Sequence, residues 1–76
     1  MNKIRRKRLK DLLEKIEMAK DLLEEVKDEE QEALDNMPEN LQGSERYEAM
    51  EEAISAMEDA LNDLESAADS IEEAIG

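Results

Sequence analysis

The sequence lacks cysteine, histidine, tryptophan and phenylalanine, and Tyr47 is its only aromatic residue. Each absence excludes something. Without cysteine there is no disulfide framework, no thiolate nucleophile and no cysteine-ligated zinc or iron–sulfur centre. Without histidine the commonest general base and metal ligand is missing. Glycine occurs twice and proline once, so few positions break a regular backbone. Apolar runs are only two or three residues long, too short for a membrane span. The basic start Lys3-Ile4-Arg5-Arg6-Lys7-Arg8 is not followed by an apolar run and does not read as a signal peptide. These features predict a small, single-domain cytoplasmic protein with no membrane association.

What is present is charge. The 76 residues carry 23 Asp and Glu against 10 Lys and Arg, a net charge of −13. Such a composition normally suggests disorder. The order of the residues argues otherwise. Ala, Leu, Glu, Lys and Met, all strong helix formers, dominate. The breakers gather in one stretch, Asp35-Asn36-Met37-Pro38-Glu39-Asn40-Leu41-Gln42-Gly43-Ser44. Two helices are therefore predicted, over 3–35 and 44–75, with a connector over 36–43.

The second segment is the more regular. Tyr47, Met50, Ile54, Met57, Leu61, Leu64, Ala68, Ile71 and Ile75 alternate steps of three and four, a heptad seam of the coiled-coil kind. Ala53, Ala60, Ala67 and Ala74 precede the seam residues in a column, and Glu51, Glu58, Glu65 and Glu72 form another. The repeat reads Glu-x-Ala-apolar every seven residues. Alanine beside a seam widens the apolar face and permits close approach of another helix. Ser55, Asp59, Asn62, Asp63, Asp69, Ser70 and Glu73 suit a solvated back.

The first segment repeats less cleanly. Leu9, Leu12, Ile16, Ala19, Leu23 and Val26 follow the three-four spacing, and Leu13, Leu22 and Leu34 broaden the face. Glu30 falls where an apolar residue is due, and the pattern resumes at Ala33 and Met37. Met37 and Leu41 are expected to anchor the end of the core, and Ser44 to cap the second helix. A short connector between helices of about 48 Å each makes antiparallel packing economical. Antiparallel packing also joins the basic first ten residues to Asp69, Glu72 and Glu73. Each cluster has the wrong sign for its own helix terminus, so their proximity favours this register.

The predicted fold is thus all-α, an antiparallel two-helix hairpin with coiled-coil-like heptads. Two helices cover only one side of each apolar face, and a core this small is marginal alone. A homodimer forming a four-helix bundle is expected, with Leu9, Leu12, Ile16, Leu23, Ile54, Leu61, Leu64 and Ile71 at the interface. A hairpin completing its core on another protein is the alternative.

No catalytic, cofactor or metal site is predicted. Paired carboxylates abound, but acid–base chemistry needs them desolvated in a pocket, which a slim hairpin does not offer. Neither the Glu-x-x-His motif of di-iron bundles nor an EF-hand loop is present. Glu51, Glu58, Asp59, Glu65 and Glu72 form a candidate acidic contact surface. Carboxylates at regular spacing on a rigid helix can imitate a phosphate backbone and occupy the basic site of a nucleic-acid-binding protein. The bland alternative is a coat that keeps the protein in solution. Arg5, Arg6, Lys7 and Arg8 form a candidate basic patch for phosphate contact. From residue 11 onward, however, 4 basic residues face 23 acidic ones, a surface that repels nucleic acid and disfavours direct binding.

The stretch Asn36-Met37-Pro38-Glu39-Asn40-Leu41-Gln42-Gly43-Ser44-Glu45-Arg46-Tyr47, with the heptads after it, resembles small acidic helical proteins of bacterial phages and mobile elements. The resemblance implies a non-enzymatic accessory role and carries over no functional residue. In architecture alone the chain also resembles Rop-like helical hairpins, which dimerise and bind RNA. Their RNA-contacting motif has no match here, so the likeness is one of fold.

Overall fold

Asn2 caps the first helix. Its backbone is non-helical, and its side-chain Oδ1 accepts a hydrogen bond from the Arg5 N–H at 2.8 Å. This cap matters because the first turn behind it holds no acidic residue to answer the helix dipole. The computed structural model, which describes residues 1–76, then runs as α1 (Lys3–Asp35), a single 3₁₀ turn (Glu39–Leu41) and α2 (Glu45–Ile75). There are no strands, and the two long helices pack against each other.

The connector is built from named breakers. The Asn36 N–H closes α1 on the Glu32 carbonyl, and the Met37 N–H donates to the Leu34 carbonyl at 3.1 Å. Pro38 cannot donate, and its extended backbone (φ −57°, ψ 145°) turns the chain out of the helix. Its carbonyl accepts from the Leu41 N–H at 2.9 Å, which forms the 3₁₀ turn. Gly43 then takes φ +83°, a left-handed conformation that suits glycine. Ser44 caps α2, its Oγ accepting from the Tyr47 N–H at 3.2 Å, with Glu45 and Glu48 in the first turn.

The backbone extents of 59 × 15 × 12 Å describe a rod two helices wide. In such a cross-section each apolar side chain meets one neighbouring helix only. Leu34 and Ile54 alone are buried, at 8% and 7% exposure, and both lie towards the turn. Along α2 the half-buried residues are Tyr47, Met50, Met57, Leu61, Leu64, Ala68, Ile71 and Ile75. This is the heptad seam read from the sequence. Its alanine column is half-buried at Ala53 and Ala60 and exposed at Ala67 and Ala74.

Along α1 the seam differs from the sequence reading. Leu9, Leu13, Ile16, Lys20, Leu23, Lys27, Glu30, Gln31, Leu34 and then Met37 are the covered positions. Leu12, Ala19 and Val26, expected on the seam, are exposed, and Leu13, Lys20 and Lys27 take their places. The apolar face of α1 is wide enough to hold two adjacent stripes that share Leu9, Ile16 and Leu23. Residue type favours the stripe without lysines. Lysine accepts the other because its aliphatic stem lies along apolar surface while the ammonium reaches water. Leu41, expected to close the core, is exposed, so Met37 does so alone.

Candidate functional site

No enclosed site exists in a rod this thin, so the surfaces between and beside the helices carry the chemistry. Near the turn, Gln31, Leu34, Asp35, Tyr47, Ile54 and Glu58 are among the residues lining one groove between the helices. That groove fixes the register: the last turns of α1 lie beside about the first four turns of α2. Leu9, Ile16, Leu23, Ile54, Leu61, Leu64 and Ile71, the predicted association residues apart from Leu12, lie along the seam within one chain. All but Ile54 are only half-buried, so a third helix could still touch them. Leu12 stands outside the seam at 41% exposure.

Electrostatics divide the remaining surface. Every Asp and Glu except the half-buried Glu30 is exposed, and each such carboxylate keeps its hydration. Asp21, Glu24, Glu25, Asp28, Glu29 and Glu32 form a continuous acidic surface on α1. Glu48, Glu51 and Glu52 form a second on α2. The predicted column Glu51, Glu58, Glu65 and Glu72, with Asp59, is exposed throughout. The one ion pair within 4.0 Å joins Lys20 Nζ to Glu17. The basic residues at the start of α1 and the acids near the end of α2 share one end of the rod without forming a direct pair. No three Asp or Glu side chains converge where they could hold a metal ion, and no buried polar side chain lacks a partner.

Arg5, Arg6, Lys7 and Arg8 are exposed as expected for a contact patch. Two of them belong to a more specific feature. Arg5, Arg8 and Lys15 share an open groove of about 510 Å³ with Met1, Leu9, Asp11 and Leu12, so three cations and one carboxylate here border apolar surface. Beyond it, Leu22 at 62% and Val26 at 45% exposure continue the apolar track along α1. α2 leaves no large apolar side chain comparably exposed. The uncovered stripe holds Leu12, Ala19 and Val26, which the sequence reading placed on the intramolecular seam, together with Leu22, which it took only as broadening the face. Its signal was an apolar face on α1 wider than one partner helix can cover.

Comparison of the chain with protein-family models, curated proteins and solved structures gives no match. No helix is long and apolar enough to cross a membrane.

Proposed function

We propose that this protein is a small non-enzymatic interaction module that works by helix–helix association, in an accessory role of the kind its resemblance to phage and mobile-element proteins implies. The carrying observation is the mismatch between apolar content and coverage. Two residues are buried, and Leu12, Leu22 and Val26 are all more than 40% exposed on a single helix. Exposed apolar side chains scattered singly are ordinary; a contiguous row of them marks a contact surface. Association with a second copy completes a four-helix bundle, and the surrounding carboxylates then set which surfaces are tolerated. Sedimentation velocity and thermal melting across protein concentration test the reading. Association and a melting temperature that rises with concentration are expected. A monomer with concentration-independent melting overturns it.

A second reading has its own observation. The acidic surface of α1 runs from Asp21 to Glu32 with no apolar residue in it. Its carboxylates recur every three or four residues, about 5–6 Å along the axis. A row of hydrated negative charges on a rigid rod is a fair copy of a phosphate backbone, and it would attract the basic groove of a nucleic-acid-binding protein. Reversing the Glu51, Glu58, Glu65 and Glu72 column, or the α1 acids, should then abolish competition with DNA for such a groove while helicity is kept. Unchanged competition removes this reading.

A further inference from the structure

The uncovered stripe of α1 has a charge order that specifies its occupant. At about 100° per residue, Leu12, Ala19, Leu22, Val26 and Ala33 fall within about a quarter-turn of one another, over a length of about 30 Å. Ala19 and Ala33 are exposed together with the three larger residues. Arg8 and Lys15 share the same arc at its beginning, where they border the groove with Leu12, and Asp11 beside them offsets one of the two charges. Glu29 and Glu32 lie beside its far half, within the acidic surface of α1. The track is therefore basic at one end, apolar in the middle and acidic at the other end, with Ala19 near its midpoint.

We infer that this face binds the same face of a second copy of the chain, antiparallel, about a two-fold axis near Ala19. The inference rests on the association reading above and names its partner and register. An antiparallel match sets Lys7 and Arg8 against Glu29 and Glu32 of the second copy, twice by symmetry. It also brings Leu12 opposite Val26 of the second copy, and the small Ala19 lets the two helices approach at the centre. A parallel match would set basic end on basic end and acidic end on acidic end, which like charges oppose. A self-complementary patch is what a two-fold interface requires. The α2 helices then flank the α1 pair, and the residues shared by the two stripes, Ile16 and Leu23, gain cover from both sides.

The exchanged variant and its control below both keep the net charge of −13. In one variant Lys7→Glu and Arg8→Glu are combined with Glu29→Lys and Glu32→Lys, which exchanges the two ends of the track. In the control, Lys7→Glu and Arg8→Glu are combined with Asp63→Lys and Glu73→Lys on the exposed back of α2. Circular dichroism establishes that both are helical, and sedimentation equilibrium gives their dimer dissociation constants. The exchanged variant should dimerise within about threefold of the original, and the control about tenfold or more weaker, since four like-charge contacts replace four opposite ones. Leu22→Glu, at an exposed position, should give a helical monomer. A control that dimerises as tightly as the exchanged variant, or a Leu22→Glu chain that remains dimeric, overturns the antiparallel α1 interface and leaves the association reading standing. An original chain that is monomeric overturns both.

Discussion

Leu12 and Leu13 are adjacent in sequence, yet Leu13 is half-buried along the seam and Leu12 is 41% exposed. One helical step thus separates the stripe that holds the hairpin together from the stripe left open. The energetic roles of the two should separate as sharply. Leu34→Ala or Ile54→Ala should destabilise the hairpin by about 2–3 kcal/mol, the lower part of the range for buried large-to-small changes. Leu12→Ala should cost less than about 0.5 kcal/mol in the same chain at concentrations where it is monomeric. Urea melts followed at 222 nm measure both.

Lys20 and Lys27 occupy seam positions and are half-buried. Lys20 holds only a 4.0 Å contact to Glu17, which is itself largely exposed. Replacing either lysine by leucine adds apolar area at the seam and gives up no inter-helix ion pair. Each change should stabilise the hairpin by about 0.5–1 kcal/mol, estimated from the area coefficient for partial burial. A lower melting temperature for both variants would show that the ammonium groups contribute more than their stems.

Gly43 has φ +83° and open space around the position of an added Cβ. Any penalty for Gly43→Ala therefore comes from the backbone and not from a clash. The expected loss is about 1 kcal/mol, the usual cost of a left-handed alanine. Gly43→Asn should recover part of it. Ser44→Ala, which removes the acceptor for the Tyr47 N–H, should cost about 1 kcal/mol by itself. Melting curves of the three variants separate the turn from the cap.

Salt should stabilise this protein. Its net charge is −13, and its single ion pair leaves little attraction for salt to screen. Repulsion among exposed carboxylates dominates and is shortened as the Debye length falls to about 3 Å near 1 M salt. The melting temperature should rise steadily with sodium chloride. A fall would mean that attraction between the basic start of α1 and the acids of α2 outweighs the repulsion.

How far the sequence disclosed this arrangement depended on what each residue had to say. Pro38, Gly43 and Ser44 are each tied to one backbone conformation, so the connector and the start of α2 were legible to within a residue. The seam of α2 was legible because its flanking positions are alanine, acidic or small polar residues and only one stripe is strongly apolar. In α1 two neighbouring stripes compete, and residue type alone prefers the one without lysines. The choice between them depends on how the helices cross, which a single helix pattern does not contain. Asn2 as a cap was hard to read because the turn after it is basic and lacks the acidic residues that mark a helix start. The stripe of Leu12, Ala19 and Val26 was legible as apolar but not as open, since exposure is defined by what the other helix fails to cover.

The uneven charge of the rod has a further consequence for how it meets anything else. Six cations sit in the first ten residues, at one tip, and the acids dominate the shaft. An elongated body of this kind carries a large permanent electric dipole along its 59 Å axis. In the field of a charged neighbour it turns before it touches. A cationic surface draws it in by the acidic turn end, and an anionic one admits it by the basic tip. Orientation at first encounter is therefore decided by the sign of the approaching surface.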